Sequence, residues 1–162
     1  MENRDKPVAK PKLAVIIPAY NMRSRYDSDG EFTGVLDHYD DLARQYGDSI
    51  EFHVVDDCSS DTSPDLMRTF REGDSAINFH YMPENAQKIG AIKHVINGLE
   101  DEVESILHTD FDCRFEGDAL DNALTHAEEL AENPELGGFG LRVVPTKTNS
   151  LLNAWQEWEY AV

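Results

Sequence analysis

Two short stretches of this chain concentrate carboxylates. "HVVDDCSSDTS", residues 53–63, sets Asp56, Asp57 and Asp61 among small hydroxyl residues, and "HTDFDCRF", residues 108–115, sets Asp110 and Asp112 one residue apart. Asp110 and Asp112, one residue apart, project to one side of an extended chain. Such a pair offers hard oxygen ligands to Mg²⁺ or Mn²⁺, and substrate phosphates can complete the coordination. Asp56 and Asp57 suit a different task, accepting hydrogen bonds from nucleobase N–H groups or ribose hydroxyls. Ser59 and Ser60 are suited to cap the turn that follows. Each stretch also has a plainer reading: turn chemistry for the first, and chance pairing in an acidic chain for the second.

The acidity itself narrows the choice of ligand. The 162 residues include 14 Lys+Arg against 32 Asp+Glu, a formal charge of −18. Nucleic acid is therefore a poor partner, because phosphate binding needs basic neutralisation. An anionic small ligand needs a local cation, either a metal held by acids or N–H groups at a strand-to-helix junction. Most of the acids read as a solvated surface. Cys58 and Cys113 read as reduced cytosolic thiols. The six histidines have no metal-ligand spacing, and His108 reads as strand-end packing. No run approaches the roughly 18 apolar residues of a membrane span. The opening "MENRDKPVAKPK" lacks the apolar core of a signal peptide, so residues 1–12 are expected to be a loose tail and the protein cytoplasmic.

The elements that position these residues follow from periodicity. "LAVIIPAY", residues 13–20, is a continuous apolar run suited to a strand buried on both faces. Residues 34–47 have helical apolar spacing and end on Gly47. "IEFHVV" predicts a second strand. "SPDLMRTFREG" predicts a helix with Ser63 as N-cap and Pro64 at the first helical position. "INFHYM" and "VESILHT" predict a third and fourth strand, and "AQKIGAIKHVINGL" and residues 117–134 the helices after them. "GGFGLRVVP" predicts a fifth strand or strand-like segment, and "SLLNAWQEWEYAV" a terminal helix whose apolar residues form a core-facing stripe. Strand and helix alternate throughout, so the expected fold is α/β, with a mainly parallel sheet flanked by helices. Ligands in such sheets bind beyond the carboxyl ends of the strands, where both acidic stretches fall.

"LAVIIPAYN", "VVDDCSSDTS", "NAQKIGAIKHVINGL" and "HTDFD", in that order and spacing, resemble the landmarks of glycosyltransferase family 2. The resemblance runs from about residue 13 to the end. It implies a Rossmann-like GT-A fold over residues 13–162. It further implies metal-dependent, inverting transfer of a sugar from a nucleoside-diphosphate sugar, a UDP-sugar being favoured, to a carbohydrate or lipid-linked acceptor hydroxyl. By the same resemblance Pro18, Ala19 and Tyr20 line the nucleotide pocket, and Asp57 contacts the base with Asp56 beside it. Lys88 lies near the base or diphosphate. Asp110 lies near the sugar and ribose, and Asp112 is the more direct ligand of Mg²⁺ or Mn²⁺. Two positions depart from the pattern: Gln87 stands where the family often has Gly, and Lys93 where it often has Asn.

Arg142, Gln156, Glu159 and Tyr160 are similar to a strand Arg and a Gln-x-x-Glu-Tyr helix of the family's processive polysaccharide synthases. The family's Glu-Asp and Gln-x-x-Arg-Trp motifs have no counterpart here, so the domain is expected to lack its C-terminal acceptor part. Glu157 and Glu159 are nearby acids with no geometric claim to be the catalytic base. With no spanning segment, the family likeness still leaves room for peripheral membrane association. The rival readings are a nucleotide-sugar-binding module without transfer activity, an acidic phosphoacceptor switch and a nucleotidyltransferase. The switch would want its acids after the first strand. The nucleotidyltransferase would want a Gly-rich basic loop there, and "AYNMRSRYDSDG" is a poor one.

Overall fold

The computed structural model describes residues 12–99, 103–133 and 135–141, without the side chains of Lys12 and Glu104. The described strands are β1 (Lys12–Ala19), β2 (Ile50–Asp56), β3 (Asn78–Tyr81) and β4 (Val103–His108). The helices are α1 (Asp29–Tyr46), α2 (Ser63–Glu72), α3 (Gln87–Ile96) and α4 (Ala119–Glu132). The strands form one parallel sheet in the order β3-β2-β1-β4. The chain winds outward from β1 through β2 to β3, then crosses back to place β4 on the other side of β1. Winding therefore reverses between β1 and β4, which is where an open α/β sheet leaves a crevice at its carboxyl edge.

The apolar run of β1 explains its central place. Leu13, Ala14, Val15, Ile16 and Ile17 are all completely buried. Leu13, Val15, Ile17 and Ala19 face one core with Phe32, Leu36 and Tyr39 of α1, Met67 of α2 and Leu120 of α4. Ile16 faces the other way, with Val55 of β2 and Ala91, Ile92 and Val95 of α3. Helices thus cover both faces, as the strand–helix alternation predicts. Among the described residues no helix is long and apolar enough to cross a membrane.

Several boundaries differ from the expectation. α1 begins at Asp29 rather than at residue 34, because Ser28 caps it. The Ser28 hydroxyl accepts from Glu31 N–H at 3.1 Å, and the Glu31 carboxylate accepts from Asp27 N–H at 2.9 Å. α2 is preceded by Thr62 with no side-chain cap. Ser63 is its first residue, and the buried Ser63 hydroxyl accepts from Arg23 N–H at 2.8 Å instead of capping. Residues 137–141 form no strand. The rest of the expected fifth strand, the terminal helix, Arg142, Gln156, Glu157, Glu159, Tyr160 and residues 1–11 lie outside the described residues.

Candidate functional site

The loops leaving β1, β2 and β4 meet at the carboxyl edge of the sheet, and most of "SSDTS" serves to join the first two. Asn21 follows β1 with φ of 51°, a left-handed conformation that Asn tolerates. Its N–H donates to Ser59 Oγ at 2.9 Å. Arg23 N–H donates to Ser63 Oγ, and Ser24 N–H to Asp61 Oδ2 at 2.9 Å. In return Asn21 Oδ1 accepts from Ser60 N–H at 2.8 Å and Asp61 N–H at 3.3 Å. Partial burial pushes the Asp61 carboxyl pKa up, but hydrogen bonds from Ser63 and Ser24 outweigh it and hold the pKa below its ordinary value. Ser59, Asp61 and Ser63 therefore stitch one loop to the other.

The two adjacent acids have separate places. Asp56 is buried, and its Oδ2 accepts from Ser59 N–H at 3.1 Å. Its Oδ1 is buried without a hydrogen-bond partner among the described residues. Burial pushes its pKa up, partly offset by the hydrogen bond from Ser59. The structure leaves Asp56 out of the cleft lining, where the family pattern had set it beside Asp57. Asp57 continues the sheet, its N–H donating to Ala19 O at 2.9 Å. Its Oδ1 accepts from Ala86 N–H at 2.8 Å, and its carbonyl accepts from Asn85 Nδ2 at 3.0 Å. It orders the entry to α3 and borders the cleft.

α3 starts abruptly at Gln87, whose φ is 62°. The departure from Gly at this position thus sits on a left-handed residue. Gly90, one turn on, has no room for a side chain: a Cβ there would lie 2.4 Å from Ala86 Cβ. This entry carries Lys88, whose Nζ donates to Asp110 Oδ1 at 2.6 Å with both side chains partly exposed. The Asp110–Asp112 segment is a turn rather than extended chain, closed by Cys113 N–H on Asp110 O at 3.1 Å. Phe111 is the anchor between the acids. It is buried and stacks on Phe32 with centroids 5.2 Å apart, while Tyr39 Oη donates to Cys113 O at 2.6 Å. Asp110 and Asp112 are left exposed on either side.

An open cleft of about 310 Å³ results. Pro18, Ala19, Tyr20, Asp57, Lys88, Asp110 and Asp112 line it, together with Met22, Arg25 and Phe111. The last three were not singled out from the sequence. Phe111 lies inside the acidic motif and could have been noticed there, whereas nothing local separates Arg25 from Arg23. The Tyr26 hydroxyl, close by, is buried without a hydrogen-bond partner among the described residues. Burial first, and then the Asp112 charge, pushes its pKa up.

Asp110 and Asp112 fit a hard divalent cation in donor type, two carboxylates open to one cleft. No group of three or more His, Cys, Asp or Glu among the described residues could hold a metal alone. Two carboxylates are a donor set of the kind that binds Mg²⁺, with water and substrate phosphate completing the shell.

The chain matches no curated protein. Among solved structures it resembles a mannosyltransferase from Pyrobaculum calidifontis, in complex with GDP-Man and Mn²⁺, with a TM-score of 0.58 and 25% identity. That match covers 78% of this chain and 34% of the other. It also resembles S. aureus TarS residues 1–349 in complex with UDP, with a TM-score of 0.50 and 25% identity over 74% of this chain and 33% of the other. The chain thus spans about a third of these two structures. The four-stranded parallel sheet with helices on both faces is the Rossmann-like core of the GT-A fold. The sequence matches the glycosyl transferase family 2 description over residues 14–159, from within β1 almost to the last residue, and the chain belongs to that family.

Proposed function

We propose that this chain forms the donor-binding half of a metal-dependent, inverting glycosyltransferase that uses a nucleoside-diphosphate sugar. One observation carries the reading: the crevice where winding reverses unites Tyr20, Asp57 and the Asp110–Asp112 turn in a single cleft. A half-exposed tyrosine offers a ring face to a nucleobase, and the Asp57 carboxylate, held by Ala86 N–H, accepts hydrogen bonds from the base. Asp110 and Asp112 would hold the metal, and Lys88 positions Asp110 through their ion pair. Mg²⁺ or Mn²⁺, when bound, neutralises the diphosphate and assists its departure. The acceptor hydroxyl, deprotonated by a general base, attacks the anomeric carbon opposite the leaving diphosphate. We assign that base to no described residue. A UDP-sugar is the favoured donor from the synthase-like motifs and the UDP bound in TarS, and the GDP-Man in the Pyrobaculum enzyme makes a GDP-sugar the competitor. A carbohydrate or lipid-linked acceptor on the cytoplasmic side completes the proposal.

A second reading is a nucleotide-sugar-binding module without transfer, because Asp57, Asp110 and Asp112, the carboxylates that line the cleft, already have other roles and leave none there for a general base. Calorimetric titration of UDP, GDP, CDP and dTDP, first with Mn²⁺ and then with EDTA, tests both. One nucleotide should bind, more tightly with Mn²⁺. Asp112→Asn should remove that metal-dependent gain, about 10-fold or more, and leave the EDTA affinity and the melting temperature unchanged. A folded chain that binds none of the four would refute both readings. Binding without sugar transfer to any added acceptor would select the second.

A further inference from the structure

We infer that Arg25 is a direct ligand of the donor diphosphate, a second cationic anchor beside the metal. The inference rests on the nucleotide-sugar reading above. Three carboxylates, Asp57, Asp110 and Asp112, border the cleft against two cations, Lys88 and Arg25. Lys88 is engaged by Asp110 at 2.6 Å. The Arg25 side chain has no hydrogen bond or ion pair among the described residues and is exposed at the cleft wall. Arg23, two residues earlier, is held within the loop: its Nε pairs with Asp29 and its Nη1 donates to Tyr26 O at 2.7 Å. One arginine of "RSR" locks the loop and leaves the other for a ligand.

The backbone around Arg25 is fixed in advance. Arg25 N–H donates to Met22 O at 3.0 Å, and Ser24 N–H to Asp61 Oδ2. On one side Met22 is buried; on the other Tyr26 packs edge-on against Phe32 and Phe111. The backbone that carries the guanidinium is therefore already ordered before an anion arrives, and the planar fork matches two phosphate oxygens. Charge on the diphosphate grows as the sugar departs, so Arg25 stabilises the leaving nucleotide more than the intact donor.

The test is calorimetry on the full chain and on Arg25→Gln and Arg25→Lys, with UDP against uridine and GDP against guanosine, in Mn²⁺ and in EDTA. Arg25→Gln should weaken diphosphate binding about 10-fold or more in both media, the scale of a charge-assisted hydrogen bond. Nucleoside affinity and melting temperature should not change, and Arg25→Lys should fall between. An unchanged diphosphate-to-nucleoside ratio in Arg25→Gln overturns the inference and leaves the nucleotide-sugar reading standing. An equal loss for nucleoside and diphosphate also overturns it, by making Arg25 a structural residue. No nucleotide binding by the unaltered chain overturns the nucleotide-sugar reading, and this inference with it.

Discussion

Asn21 holds the turn after β1 through its side-chain carbonyl and its backbone N–H. Its Oδ1 gathers N–H groups from Ser60 and Asp61 while its own N–H reaches Ser59, so the loop bearing Tyr20 and Arg25 cannot shift independently of the loop bearing Asp57. Replacing it by alanine removes the acceptor and leaves a poorly tolerated residue at positive φ. Asn21→Ala should cost about 2 kcal/mol, and Asn21→Gly, which keeps the conformational freedom, about half of that. Denaturant unfolding of the two variants reads the difference, and equal costs would mean that the left-handed backbone is not the issue. The same network changes the meaning of the "SSDTS" residues. They belong to a stretch that resembles a family landmark, yet of the five residues from Ser59 to Ser63 none borders the cleft.

At the scale of elements, the entry to α3 sets where Lys88 and Asp57 stand. In an unhindered helix, Gly→Ala gains about 1 kcal/mol from propensity. At Gly90 the added Cβ would collide with Ala86, whose N–H is held by Asp57. Gly90→Ala should therefore destabilise by about 1–3 kcal/mol, and Ala86→Gly in the same chain should recover much of it. Thermal melting of the single and double variants tests the contact; a stabilised Gly90→Ala would show that the helix start relaxes freely. The turn at Asp110–Asp112 teaches a related point. Its two acids reach one cleft because buried Phe111 pins the residue between them, not because extended chain sends them to one side.

At the scale of the whole molecule, histidines from three elements meet on the sheet. His53 Nδ1 lies 3.0 Å from His80 Nε2, His94 of α3 packs edge-on against His80, and Glu51 faces His53 Nε2. Burial first, and then the His53 and His94 charges, pushes the His80 pKa down to about 4 from an ordinary 6.5. His38 shifts the same way, from burial and Arg114. The unfolded chain then takes up protons before the folded one does. Stability should be fully present above pH about 6.5 and fall as pH drops toward about 4. Urea midpoints measured between pH 7 and pH 5 should decline, and His80→Asn should reduce the slope. A pH-independent midpoint would show that the cluster protonates without cost.

The alternation of β-branched strands with amphipathic helices was legible from the chain alone, because apolar period and turn chemistry are local properties. So was the concentration of acids at two strand ends, and through it the family. Spacing alone did not say which member of a pair reaches the cleft, although the family likeness put Asp57 ahead of Asp56. Asp56 and Asp57 are neighbours, but β2 register sets Asp56 opposite Ala19 and Tyr81 within the sheet, and Asp57 emerges just beyond it. Arg23 and Arg25 differ only in whether Asp29 and the Tyr26 carbonyl are within reach. Ser63 has the sequence of a helix cap and the partner of a loop clamp, Arg23. Propensity and periodicity act over a few residues. Hydrogen-bond partners lying some 40 residues apart are chosen only when the strands take their register and bring those loops together.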